Sequence, residues 1–152
     1  MKKIIAYLLI CLLLFLSLFV LHELFDMPLW YTKRLLFAKC ASIGGVGGIL
    51  YCLRAVYLNR CVLKQWDPDW QVWYYLRPIT STISGFISCI FLKAGLLVLE
   101  ASNNPGNTPY GYLAIALIAG YNVDNFMKKI ESIAHTVWGI SKSRVSSSNN
   151  EN

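Results

Sequence analysis

Residues 4–24 read IIAYLLICLLLFLSLFVLHEL, and no charged residue interrupts this run before Glu23. A helix needs roughly 20 apolar residues to cross the hydrocarbon core of a bilayer. Lys2 and Lys3 precede the run, as in a secretory signal peptide, but the run exceeds a signal-peptide core and no small-residue cleavage triplet stands near its end. We therefore expect an uncleaved first transmembrane helix.

The whole chain shares this apolar character. Of its 152 residues, 56% are hydrophobic and 14% are charged, whereas a soluble domain carries about 25% charged residues. The formal net charge of +6 comes from basic residues that flank the apolar blocks. That pattern does not favour direct nucleic-acid binding, which needs a basic soluble surface with interleaved aromatic residues. The composition predicts an all-α integral membrane protein with lipids as its surroundings.

Four apolar blocks predict about four transmembrane helices. The predicted spans cover residues 4–24, 35–58, 79–99 and 110–127. They form a single helical membrane domain over residues 1–140, and the Ser- and Asn-rich segment 141–152 is predicted to be disordered. The fourth span is the weakest, because its apolar stretch from Tyr110 to Tyr121 covers only about 18 Å as a helix.

The basic residues predict the orientation of these spans, because Lys and Arg accumulate on the cytoplasmic side. With a cytoplasmic N-terminus, that side holds Lys2, Lys3, Arg54, Arg60, Lys64, Arg77, Lys128, Lys129, Lys142 and Arg144. The opposite side holds Lys33 and Arg34, with Lys39 just within the boundary. We therefore expect both termini to be cytoplasmic.

The loop between the second and third predicted spans, on the cytoplasmic side, is rich in tryptophan. Asp67 and Pro68 form a typical helix start, so residues 68–76 are predicted to be a short helix lying in the inner interface. Its interfacial anchors are Trp66, Trp70 and Trp73. Two interpretations stay open, namely simple anchoring and a contact site for a cytosolic partner.

Small residues mark candidate helix-packing faces. Gly44 and Gly48 form a G-x-x-x-G pair in the second span, and Ser81 and Gly85 are spaced by four residues in the third. Close approach over small residues is a main source of helix association in lipid. These faces are expected to pack together, either within one chain or between subunits.

Polar residues at membrane depth are costly and often functional. The candidate pore or gating residues are Lys93, Asn122, Asp124 and Asn125. The alternatives are that Lys93 extends outward to the interface and that the fourth helix leaves the membrane early. Asp124 is expected to pair with Lys128 or with Arg54.

A heptad-like pattern predicts one continuous fourth helix from Tyr112 to Ile140, about 43 Å long and projecting into the cytosol. Its apolar positions beyond the membrane are Phe126, Ile130, Ile133 and Val137. This seam is a candidate contact for an oligomer or a partner, and we expect a homo-oligomer.

Evidence for enzyme chemistry is weak. The five cysteines are odd in number and lack C-x-x-C spacing, and no nucleophile motif or phosphate loop is present. His22, Glu23 and Asp26 are better explained as polar groups that end a helix than as metal ligands. We expect no enzymatic activity, no cofactor and no metal.

Three stretches resemble a known class of protein. They are GGVGG at 44–48 leading to Arg54, WYYLRP at 73–78, and AGYNVDNF at 119–126. Together they resemble small multi-span proteins of bacterial anti-phage defence islands, notably the transmembrane effector of some retrons, over about residues 40–140. The membrane subunit of the Kiwa defence system is a similar alternative.

The resemblance implies a bacterial inner-membrane effector that a reverse transcriptase and its RNA–DNA product hold inactive, or that another cytosolic defence protein restrains. When released, it would damage the membrane and halt growth, which is abortive infection. The alternative from another class is a non-toxic scaffold or sensor that recruits a cytosolic partner through residues 66–75 and the projecting helix.

Overall fold

The computed structural model describes residues 2–24, 29–64, 70–95 and 110–139, and their regular structure is entirely helical. The helices in these ranges are α1 (Lys2–Leu24), α2 (Leu29–Tyr57), α3 (Gln71–Lys93), α4 (Tyr110–Tyr121) and α5 (Val123–Trp138), with a π-helical turn at Leu58–Val62 after α2. The prediction of an all-α fold is confirmed.

Among the described residues, three helical segments are long and apolar enough to cross a membrane: Lys3–Leu21, Leu35–Val62 and Gln71–Lys93. Their length and composition are consistent with the membrane protein that the composition predicts. The 12 residues of α4 cover about 18 Å, which is less than the thickness of a bilayer core. A complete fourth crossing therefore stays a prediction.

Helix α2 contacts both α3 and α4 through glycine, and α3 and α4 also contact each other. A Cβ atom on Gly44 would lie 2.7 Å from the Cα of Gly85, and one on Gly47 would lie 2.8 Å from the backbone nitrogen of Tyr121. Gly120 of α4 also lies directly against Gly44. Since lipid gives no hydrophobic drive between helices, this backbone-to-backbone proximity supplies the van der Waals contact that holds the bundle.

Aromatic contacts bring the start of α1, the end of α2, the start of α3 and the end of α4 to one end of the bundle. The ring centroids of Tyr7 and Tyr75 are 5.0 Å apart, and Tyr51 lies 5.8 Å from Trp73 and 5.4 Å from Tyr121. The first three helices therefore alternate in direction, and α4 runs parallel to α2. We call this end, where α1 starts and α4 finishes, the basic end, because it carries Lys3, Arg54, Arg60, Lys64 and Arg77.

The prediction of a separate interfacial helix over residues 68–76 is wrong in the part that the structure describes. Helix α3 begins at Gln71 and continues through Pro78 to Lys93. Proline in a helix interior removes one backbone hydrogen bond, but Tyr74, Arg77 and Ser81 around it are buried. Their packing keeps the helix intact. The helix ends before the predicted boundary at residue 99, and a turn at residues 94–95 follows it.

The prediction of one continuous helix from Tyr112 to Ile140 is also wrong. Asn122 has φ −125° and ψ 64°, so its ψ is about 100° away from the helical value of about −42°. Asparagine is a weak helix former, and here it separates α4 from α5. Helix α5 then ends at Trp138, where Gly139 adopts the left-handed φ of 65° that suits a helix terminus. Residues 141–152 lie outside the described residues.

Candidate functional site

The most unusual side chain in the bundle is a buried arginine. Arg77 lies six residues after the first residue of α3, about 9 Å along the helix axis, and only 4% of it is exposed. Tyr74 and Ser81 occupy the same buried face one turn before and one turn after it. A charge inside a membrane-spanning segment is costly, so its partners decide what it does.

The partner of Arg77 is a carboxylate from another helix. Nη1 of Arg77 donates a hydrogen bond of 3.1 Å to Oδ2 of Asp124, in the first turn of α5. The N-terminal position on a helix favours the negative charge of Asp124. The side chain of Asp124 is 71% exposed while that of Arg77 is 4% exposed, so the pair joins the interior of the bundle to its surface.

Aromatic rings surround the rest of the guanidinium. The Cζ atom of Arg77 lies 4.8 Å from the ring centroid of Tyr51 and 5.1 Å from that of Trp73. Both distances fit cation–π attraction, which is stronger when water is excluded. Helices α2, α3 and α5 thus all contribute to one cation site.

This site is incompletely satisfied. Nε and Nη2 of Arg77 are buried and have no hydrogen-bond partner among the described residues, and the same holds for Oγ of Ser81 one turn further along α3. Arginine carries five N–H donors, and an unpaired buried donor costs about 1–3 kcal/mol. These donors are left for a partner outside the described residues.

A second polar contact lies nearer the surface of the same end. Nη1 of Arg54 in α2 donates a hydrogen bond of 2.8 Å to the hydroxyl of Tyr121, the last residue of α4. Asp124 therefore pairs with Arg77 rather than with Arg54, which binds Tyr121 instead. The break at Asn122 turns the chain so that Asp124 faces α3.

The predicted pore or gating residues do not form one cluster. Asp124 joins Arg77 at the basic end, with Asn122 half-buried beside it and Asn125 exposed. Lys93 is at the other end of α3, about 24 Å from Arg77 along the helix, with its Nζ atom 4.5 Å from the ring centroid of Phe37. Lys93 and Asp124 therefore cannot line a single constriction.

The predicted packing residues do meet in the structure, and they meet within one chain. Gly44 lies against Gly85, and Gly48 lies against the side chain of Ser81. Sequence reasoning missed the equivalent contacts of Gly47 and Gly120, which hold α4 against α2.

The predicted anchors and seam residues lie at the basic end. Trp70 is exposed and Trp73 is half-buried, while Trp66 lies outside the described residues. In α5, Phe126, Ile130 and Ile133 are half-buried and Val137 is exposed.

Beside the arginine site is an open groove of about 310 Å³ between the end of α2 and the start of α3. Its lining residues are Tyr51, Ala55, Leu58, Asn59, Val62, Leu63, Trp70, Trp73 and Tyr74. The π-helical turn supplies part of this wall, and such turns occur often at functional sites.

Sequence reasoning placed Arg77 among the cytoplasmic basic residues and missed its role. A signal was available, because Tyr74, Arg77, Ser81, Ser84 and Ser88 follow the three- and four-residue spacing of one helix face. That face is buried along its whole length. The third span was predicted to begin at residue 79, which left Tyr74 and Arg77 outside this helix face.

Within the described residues, no group of three His, Cys, Asp or Glu side chains is placed to hold a metal ion. The side chains of His22, Glu23 and Asp26 lie outside what is described. No protein-family model, curated protein or solved structure gives a significant match to this chain.

Proposed function

We propose that this chain is a membrane-embedded effector that perturbs the bacterial inner membrane when a partner's restraint is released. The observation that carries the proposal is the buried, half-satisfied Arg77 held by Asp124 of α5. The three stretches that resemble retron-associated effectors converge on this place. Gly44 packs against Gly120, Arg54 binds Tyr121, and Arg77 binds Asp124.

The physical argument starts from the cost of the buried cation. Loss of one partner of a buried ion pair leaves an uncompensated charge, which destabilises a protein by about 3–5 kcal/mol when both groups are fully buried. The cost is smaller here, because Asp124 is largely exposed. If Asp124 moves away, Arg77 needs water or lipid phosphate as a replacement. Admitting either between α2 and α3 would perturb the inner leaflet.

The restraint is expected to act on α5, because Asp124 is in its first turn and residues 135–138 at its other end are exposed. A cytosolic partner that holds α5 in place would keep Asp124 on Arg77. For the retron type, the resemblance implies a reverse transcriptase with its RNA–DNA product as that partner. A homo-oligomer in the membrane stays part of the proposal.

Expression of the chain alone in bacteria tests the effector proposal. A potential-sensitive dye and colony counts are followed after induction, and a variant with an early stop codon is the control. The expected result is loss of membrane potential together with loss of colony formation, and rescue of both by co-expression of the restraining partner. Normal potential and survival at confirmed membrane insertion would contradict the proposal.

The second candidate is a non-toxic scaffold or sensor. The groove of about 310 Å³ lined by Trp70, Trp73 and Tyr74 favours it, since aromatic side chains are enriched in protein contacts. A scaffold would recruit a cytosolic partner without depolarising cells. The same induction experiment therefore separates the two functions.

A further inference from the structure

We infer that α5 lies in the headgroup layer of the membrane at the basic end of the bundle, with its apolar face in the lipid. The inference concerns the surface that α5 occupies, and it holds for an effector and for a scaffold alike. It assigns the seam residues to the bilayer rather than to a second copy of the chain.

The side chains of α5 are divided between an apolar and a polar side of the helix. At 100° per residue, the apolar side chains fall within an arc about 140° wide. This arc holds Val123, Phe126, Met127, Ile130, Ile133, Ala134, Val137 and Trp138, and the opposite side holds Asp124, Asn125, Lys128, Lys129, Glu131, Ser132, His135 and Thr136. A helix with one wide apolar face and one strongly polar face is typical of the membrane interface.

This face is covered only in part, because Phe126, Ile130, Ile133 and Ala134 are half-buried while three other apolar side chains are exposed. Among the described residues of α5, Val123 alone is fully buried. Met127 is 38% exposed, Val137 is 52% exposed and Trp138 is 63% exposed. A face of this size that stays open to water would be unfavourable, so something outside the described chain covers it.

The position at which α5 begins favours the bilayer as the occupant of this face. Val123 lies in the apolar arc and is buried, so the arc faces the bundle where α5 begins. The helix starts directly after Tyr121, whose hydroxyl binds Arg54 among the aromatic rings of Tyr51 and Trp73. Aromatic and basic residues mark the headgroup level of a membrane protein, and α5 begins at that level.

The direction and the charge of α5 are consistent with a position in the headgroup layer. Because the backbone turns at Asn122, α5 does not continue the axis of α4 into the cytosol. Arg77 neutralises Asp124, so Lys128, Lys129 and Glu131 leave the polar face with a net positive charge. Arg54, Arg60 and Lys64 are exposed at the same end and favour an anionic lipid surface. Trp138 at the end of the helix suits the interface equally.

Photo-crosslinking tests the occupant directly. The full-length protein is made with benzoylphenylalanine at Ile133 or Val137 on the apolar face, or at the neighbouring Ser132 or Thr136 on the polar face. Each form is reconstituted in vesicles of phosphatidylethanolamine and phosphatidylglycerol and irradiated. Mass spectrometry then identifies lipid adducts, and gel electrophoresis identifies adducts between copies.

The expected result is a lipid adduct at positions 133 and 137 with a yield severalfold above that at positions 132 and 136. A dimer adduct as the main product at positions 133 and 137 would overturn the inference and favour the oligomer seam. Equal lipid yields at all four positions would also overturn it. Because each face carries two labelled positions, the two faces can still be compared if one of the four variants fails to fold.

Discussion

Arg77 and Asp124 are 47 positions apart in the sequence, and a contact of 3.1 Å between Nη1 and Oδ2 joins them across α3 and α5. The pair is asymmetric, because the arginine is buried and the aspartate is largely exposed. Through this ion pair, α5 contacts the buried interior of the helical bundle.

Replacement of Asp124 by asparagine keeps the size of the side chain and removes its charge. Because Arg77 stays buried without a carboxylate, we expect the free energy of unfolding to fall by about 1–3 kcal/mol. Thermal unfolding in detergent, followed by circular dichroism, measures the change. Lys129→Gln removes a charge from an exposed position of the same helix and is the control. An equal loss in both variants would show that the contact with Arg77 is not responsible.

A double variant measures whether Arg77 and Asp124 contribute to stability as a coupled pair. Arg77→Met removes the buried cation and keeps an unbranched apolar side chain, and an apolar replacement of a buried ion pair is often neutral or stabilising. We therefore expect Arg77→Met combined with Asp124→Asn to unfold at a higher temperature than Asp124→Asn alone. Simple addition of the two single effects would indicate no coupling between the residues.

Gly44 tests the central helix contact. A Cβ atom at this position would lie 2.7 Å from backbone atoms of Gly85 and Ser81. Because backbone cannot move aside as a flexible side chain can, Gly44→Ala is expected to destabilise the bundle by about 1–3 kcal/mol. Ala114→Leu adds more volume at an exposed position of α4 and should leave the unfolding temperature nearly unchanged. If the two variants behave alike, the close contact of α2 with α3 is not a major source of stability.

Cys61 tests the orientation. Its side chain is exposed in the π-helical turn, while Cys40, Cys52 and Cys89 are buried. A maleimide that cannot cross membranes is expected to label Cys61 after the cells are permeabilised and not in intact cells, because the basic end is predicted to face the cytoplasm. Cys61→Ser is the control for labelling at other thiols. Labelling of Cys61 in intact cells would reverse the predicted topology.

The sequence predicted the features that hydropathy and residue size determine locally. Long apolar runs gave the three long spans, and the spacing of Gly44, Gly48, Ser81 and Gly85 pointed to faces that lie together in the structure. These signals are strong because lipid requires an apolar surface on a helix and small residues where two backbones meet.

The features that depend on tertiary contact were missed. Pro78 looked like the boundary of a span, but buried neighbours hold the helix together through it. The heptad pattern continues across Asn122 in the sequence. Side-chain periodicity does not report a change in ψ at a single residue, so the break between α4 and α5 was missed. Both errors hid the pairing of Arg77 with Asp124, which needs a helix that continues before Pro78 and a chain that turns after Tyr121.

The most direct test of the central claim is the membrane potential of bacteria that express the wild-type chain, Asp124→Asn or Arg77→Met at equal membrane levels. If Asp124 neutralises the cation whose release perturbs the membrane, Asp124→Asn should depolarise cells faster than the wild type does. Arg77→Met should depolarise them more slowly or not at all. Equal depolarisation by all three chains, or faster depolarisation by Arg77→Met, would contradict the account.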